Sequence, residues 1–119
     1  WTIYDSDTDT AVADGKQAFV VPASMVGMNL IDVTASVHDL NSAASGTTTV
    51  VLRRVRGATA ADMTSTGVTI DYNAYTASDE TVDTSNDDLA LGDKLYPDVN
   101  AVTTAVQKGL SVTAIFRLP

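Results

Sequence analysis

Leu110, Val112, Ala114, Phe116 and Leu118 fall on one side of an alternating segment, with Ser111, Thr113 and Arg117 on the other and only Ile115 out of phase. A two-residue period is the mark of a strand with one buried face, so a terminal strand is predicted after Gly109. Asn29–His38 alternates in the same way, and Ile31, Val33, Ala35 and Val37 are the predicted inward set. A helix over 25–40 would put Met28, Ile31 and Ala35 on one face, but Gly27 and the β-branched residues in its middle favour a strand. Across a small-residue turn at 41–46, Thr47–Arg56 is the next strand, with Val50 and Leu52 alternating with Val51 and Arg53. The two are expected to form a hairpin.

The remaining elements are shorter. A strand at Trp1–Tyr4 leads into an acidic loop carrying Asp5, Asp7, Asp9 and Asp14, followed by Gly15-Lys16-Gln17. Ala18–Pro22 is an apolar run stopped by a proline, which suits an edge or a turn. Ala58–Asp62 is read as one helical turn, Gly67–Tyr72 as a strand, and Ala77–Asp88 as an acidic loop with a short strand near Thr81–Asp83. In Lys94–Val102 the alternation returns, and Pro97 implies an edge or a bulge there. Thr103–Lys108 is a connection that Gly109 ends in the left-handed conformation. Six to eight short strands at roughly ten-residue spacing predict an all-β fold, an antiparallel β-sandwich of jelly-roll or Greek-key type.

Composition narrows the picture further. At 119 residues and 45% hydrophobic content the chain is the size of one domain, 1–119, with 1–16 as a polar N-terminal strand and loop. Fifteen acidic against seven basic residues give a net charge of −8, which leaves almost nothing to neutralise phosphates, so nucleic acid is not an expected partner. No apolar run approaches the ~20 residues that cross a bilayer as a helix, so membrane insertion is not expected. The absence of cysteine removes disulfides and thiolate chemistry. Because the sequence opens at Trp1 without methionine, a leader or a preceding domain is expected ahead of it.

A set of segments stands out by its order and spacing. These are Phe19-Val20-Val21-Pro22, Gly46-Thr47-Thr48-Thr49-Val50-Val51-Leu52-Arg53-Arg54-Val55, Val68-Thr69-Ile70-Asp71, Leu91-Gly92-Asp93-Lys94-Leu95-Tyr96-Pro97-Asp98-Val99 and Gly109-Leu110-Ser111-Val112. Together they resemble a β-sandwich module of tailed-bacteriophage virion proteins, found among tail-fibre, head-fibre and decoration components, over residues 17–119. The resemblance implies an accessory structural domain located on the virion. Such a domain is a homo-oligomer in contact with other virion proteins, and in some cases faces a glycan or protein of the host surface. It carries over no catalytic motif and no cofactor.

The residues themselves add few candidates for chemistry. Asp5, Asp7 and Asp9 are spaced like the start of a calcium loop, but the sixth and twelfth places hold Thr10 and Lys16 where an EF-hand has glycine and a bidentate glutamate. His38 is the single histidine; Ser36 and Asp39 are too close along one strand to complete a triad with it, so it is read as a surface residue near a turn. No catalytic residue and no metal site are assigned. Arg53, Arg54 and Arg56 form the one basic cluster, with two readings: a contact to an acidic loop of a neighbour such as 79–88, or a solvated strand end with the arginine stems over apolar surface. Tyr72 and Tyr75 are the aromatic pair for stacking on a ligand such as a sugar, with packing at the core rim as the alternative.

Overall fold

The structure, a computed structural model, describes residues 1–13 and 16–119. It is all-β and antiparallel throughout. The strands are β1 (Phe19–Val20), β2 (Asn29–Ser36), β3 (Thr47–Arg56), β4 (Thr59–Asp62), β5 (Thr64–Thr66), β6 (Val68–Asp71), β7 (Thr76–Ala77), β8 (Thr81–Val82), β9 (Lys94–Ala101) and β10 (Ser111–Arg117). Among the described residues one 3-10 turn, Ala23–Met25, interrupts them. Asp14 and Gly15, the end of the acidic loop read from the sequence, lie outside the described residues.

One sheet is built on β3, the longest strand. β9 pairs along one side of it, while β6 and β4 share the other side, facing Thr47–Val50 and Arg53–Arg56 respectively; β1 extends the sheet beyond β9. The second sheet has the order β10-β2-β7, and β5 with β8 forms a small ladder. Both main sheets contribute to one core. Val50, Leu52, Val68, Ile70, Leu95 and Val99 come from the first, and Leu30, Val33, Ala35 and Val112 from the second.

Several sequence expectations are met and others are corrected. The bounds of β3 coincide with those predicted, and its alternation places Thr48, Val50, Leu52 and Arg54 inward. In β2 the inward phase changes midway: Leu30 is buried and Ile31 is 42% exposed, opposite to the prediction. Ile115 faces Asp32 and Phe116 faces Leu30, so Ile31 is the extra residue of a β-bulge, and one inserted residue reverses which side every later side chain takes. The expected β2–β3 hairpin is absent, because the long connection between Ser36 and Thr47 carries the chain from one sheet to the other. A direct hairpin loop is typically about two to five residues.

Where a helical turn over Ala58–Asp62 was expected, Thr59–Asp62 is strand and Ala58 belongs to the turn before it. Gly57 has φ of +61°, and Arg56 faces Thr59, so Gly57-Ala58 is a two-residue hairpin loop that folds β4 straight back onto β3. β9 is not an edge strand, yet Pro97 fits within it. Val99 exchanges both main-chain bonds with Ala13, on the side away from β3. By the two-residue period the proline nitrogen faces that same side, so no bond to β3 is lost. Along β10 and its two flanking residues the predicted face is buried at Leu110 and Val112, half-buried at Ala114 and Phe116, and open at Leu118.

Gly109 has φ of +72°, as predicted, and a Cβ there would lie 2.9 Å from Ser6 Cα and 2.7 Å from His38 Cβ. Both the left-handed backbone and the backbone neighbour oppose any side chain. Gly109→Ala is therefore expected to lower unfolding stability by about 2–4 kcal/mol in denaturant titration. A loss below about 1 kcal/mol would contradict the close approach of the 5–8 loop to this turn.

Candidate functional site

The arginine cluster and the turn after Leu89 meet in space. Because β3 alternates, Arg54 points inward while Arg53 points outward, and Arg56 at the strand end reaches the 86–93 loop. The Arg54 side chain is almost fully buried, and its Nη1 donates to the carbonyl oxygens of Asn86 (3.0 Å) and Asp88 (2.7 Å) and to Asp88 Oδ1 (2.9 Å). Arg56 grips Asp93 with a two-pronged contact, Nε to Oδ1 at 2.9 Å and Nη2 to Oδ2 at 2.7 Å. Asp93 Oδ2 also accepts the Ala90 N–H at 2.8 Å, closing the turn that Gly92 makes possible. On the opposite face Arg53 lies between Asp62 (Nε–Oδ1 2.9 Å) and Asp98 (Nη1–Oδ2 3.5 Å).

These contacts set the charge states. The Arg56 fork holds the Asp93 carboxyl below the ordinary range despite burial, with the Ala90 N–H adding to it, and the same carboxylates raise the Arg56 guanidinium. Burial pushes Asp88 up, but hydrogen bonds from Arg56 and Arg54 more than offset this and its carboxyl is also lowered. Asp83 is lowered chiefly by the Asn86 side-chain amide and by the Ser85 N–H. Arg54 and Arg56 are thus brought together on Asp88, while Arg53 is set apart on the opposite face with Asp62 and Asp98.

The acidic loop 79–88 lies along the exposed margins of both sheets. Glu80 Oε1 accepts the Val33 N–H at 2.9 Å, the Asp87 carbonyl accepts the Leu30 N–H at 2.9 Å, and Asp79 Oδ1 accepts the Thr69 N–H at 2.8 Å. Each donor lies on a margin that an incoming strand would otherwise pair with. Sequence reasoning gave this loop no such role, because a carboxylate capping a distant amide leaves no local signature.

Tyr72 and Tyr75 flank the turn between β6 and β7 and are 39% and 54% exposed. Beneath them Gln107, a residue the sequence did not single out, is fully buried. Its Nε2 donates to the carbonyl oxygens of Asp71 (3.0 Å), Tyr72 (3.3 Å) and Ala74 (3.3 Å), while its Oε1 accepts from the Thr48 hydroxyl at 2.8 Å. One amide therefore fixes the backbone that carries both rings. A glutamine in a polar connection gives no hint of burial, which is why it was missed.

His38 is exposed and its N–H bonds the carbonyls of Lys108 and Gly109. Among the described residues no three or more His, Asp or Glu side chains are arranged to hold a metal ion, and no helix is long and apolar enough to cross a membrane. The surface also carries depressions. An apolar groove of about 350 Å³ is lined by Trp1, Phe19, Met25, Thr113, Ala114 and Phe116. A hydroxyl-rich hollow of about 490 Å³ includes Thr34, Ser36, Thr76, Ser78 and Ser111.

No family model matches the chain, and neither a curated protein nor a solved structure matches it.

Two outcomes follow from these ties. A carboxyl whose folded pKa is depressed stabilises the fold above its unfolded value, near 4, and that stability drains as pH falls through the folded value. The stability of the wild type should therefore decline below about pH 4, and Asp93→Asn should flatten that decline while costing about 1.5–3 kcal/mol at pH 7, read by urea unfolding from pH 2 to 7. An acid limb as steep in Asp93→Asn as in the wild type would exclude the Arg56 fork as its source.

For Gln107→Leu the expected loss is about 2–4 kcal/mol, because the Thr48 hydroxyl and three carbonyls lose their partner. Amide exchange should rise in the 71–75 turn before it rises in β9. Uniform exchange across both would show that Gln107 does not hold the turn in particular.

Proposed function

We propose that this chain is a non-enzymatic structural domain of a tailed-bacteriophage virion, of capsid-decoration, head-fibre or tail-fibre type. In this reading its sheets form a β-sandwich of jelly-roll or Greek-key type, it is located in the virion, and it assembles with copies of itself and with other virion proteins. Support comes from the ordered segments that resemble that module. The observation that carries the non-enzymatic part is the use of the strongest ionisable groups: Arg54, Arg56, Asp88 and Asp93 are engaged with one another and with backbone carbonyls in closing loops on β3. The parts of the arginine set that a neighbour could reach are Arg53 and Arg56, with side chains 33% and 41% exposed.

A second reading, a host-surface glycan- or receptor-binding module, draws on Tyr72 and Tyr75. Two exposed rings on a backbone held by Gln107 form a pre-organised platform, and aromatic faces stack on sugar rings at little entropic cost.

Quantitative mass spectrometry of purified particles tests the first reading: the chain is expected at a fixed ratio to the major capsid or tail protein, and its absence from particles overturns it. The second is tested on a saccharide array, where binding lost in Tyr75→Ala supports it and binding unaffected by that change removes the platform.

A further inference from the structure

The face of the β10-β2-β7 sheet that turns away from the core is built of hydroxyls. Val33, Ala35 and Val112 are buried in the core, so by the two-residue period Thr34, Ser36, Ser111 and Thr113 point outward. The register gathers them into ranks. Thr2 pairs with Ser111, Ser111 with Ser36 and Ser36 with Thr76, which sets four hydroxyl side chains side by side across the sheet, and Thr113 stands opposite Thr34 in the next rank. All of these but Thr2 line the hollow of about 490 Å³, a volume within the roughly 300–1,000 Å³ of small-molecule sites.

Two properties set this face apart. Among the described residues none of its hydroxyls is hydrogen-bonded within the chain, whereas elsewhere Ser45 is bonded to Thr104, Thr48 to Gln107 and Ser65 to the Thr81 carbonyl. No charged residue lines the hollow either, although the chain is 18% charged and the outer face of the β3 sheet carries Arg53, Asp62 and Asp98.

We propose that this hollow binds a neutral oligosaccharide laid across the strands along the hydroxyl rank. The inference deepens the reading of the chain as a glycan-binding module and rests on it, and it locates a site on the sheet face in addition to the Tyr72–Tyr75 turn.

The chemistry of the lining selects this occupant. A hydroxyl is donor and acceptor at once, so it answers a sugar hydroxyl in either sense, and the strands hold each one in place before the ligand arrives. The threonine methyls, with Ala35 and Ala77 in the lining, give apolar contact to the C–H faces of a sugar ring. With no cation in the lining and a net charge of −8 around it, the hollow has nothing to pair with a carboxylate or sulfate, which disfavours acidic glycans. An extended peptide is disfavoured because it binds by adding to a sheet margin, and on this face the backbone polar groups are turned sideways into the ladders. The hollow does not depend on an open margin. Thr2 already pairs with β10 at Ser111, and a strand beside Ala114 and Phe116 would widen the sheet without crossing this face.

Nuclear magnetic resonance titration of the chain with neutral oligosaccharides of glucose, galactose, mannose or N-acetylglucosamine, and with sialyllactose as the acidic counterpart, tests the site. At least one neutral oligomer is expected to shift the amides of 34–36, 76–78 and 111–113, and sialyllactose to leave them in place. The double variant Thr34→Val with Thr113→Val removes two hydroxyls at constant shape and should weaken binding ~10-fold with the β spectrum unchanged. Thr113→Trp, which fills the hollow, should abolish binding and decides if the double variant does not fold. No shift with any neutral oligomer, binding undiminished in either variant, or tighter binding of sialyllactose overturns the proposal. Shifts of the same amides on raising the protein concentration alone, the mark of a second copy seated on the face, overturn it as well. Binding lost in Tyr75→Ala but kept in both hollow variants removes the hollow and leaves the glycan reading standing, whereas no binding of any saccharide counts against both.

Discussion

The buried face of β3 is polar at both ends and apolar between, and the rest of the molecule is hung from that arrangement. Thr48 and Arg54 bracket Val50 and Leu52 on the same face. Through Thr48 the strand engages Gln107 and with it the 71–75 turn; through Arg54 it engages the 86–88 backbone, and its last residue, Arg56, adds the Asp93 turn. Apolar contact supplies most of the driving force for joining two sheets, but it is non-directional. The end contacts are directional. A buried guanidinium without its carbonyls, or a buried amide without its acceptors, carries a desolvation cost that no slipped register would offset. The long loops of this small domain are thereby held in single positions.

Legibility in the sequence followed the range of the forces involved. β3, β9 and β10 were readable because alternation is a local property, and Gly109 because a left-handed residue after a connection needs only its own neighbours. Local information fails at the bulge. Nothing in Leu30-Ile31-Asp32 says which aliphatic residue turns in; the decision lies with β10, on which Phe116 pairs with Leu30 and skips Ile31. The same holds for β2 and β3, whose facing patterns fit a hairpin equally well until the length of the intervening connection is weighed. Ala58–Asp62 has the small residues of a helical turn, and Gly57 overrides them by directing the chain back against Arg53–Arg56.

Of the candidate site, the residue types were visible and the pairings were not. Arg53, Arg54 and Arg56 stood out as the only basic cluster, and Gly92-Asp93 as a turn, yet their union across more than thirty residues of sequence is a product of folding. Gln107 had no local signature at all. An uncharged amide becomes the hub of a buried network only when four backbone or hydroxyl partners converge on it.

The acidic excess takes on a structural meaning once the sheet margins are compared. On the β7 side of β2 the amides beyond the short partner strand are met by Glu80 and by the Asp87 carbonyl, and the amide of Thr69 in β6 is met by Asp79. These contacts satisfy the backbone and set carboxylates along the edge, which a second strand approaching from solvent would have to displace. At β10 the same problem is handled differently. There the Trp1–Tyr4 segment covers Leu110 to Val112 by main-chain hydrogen bonds rather than by carboxylates. Like-charge repulsion between copies and capping of the sheet edges thus act together against random strand pairing, so the acid content serves the fold and its solubility through the same residues.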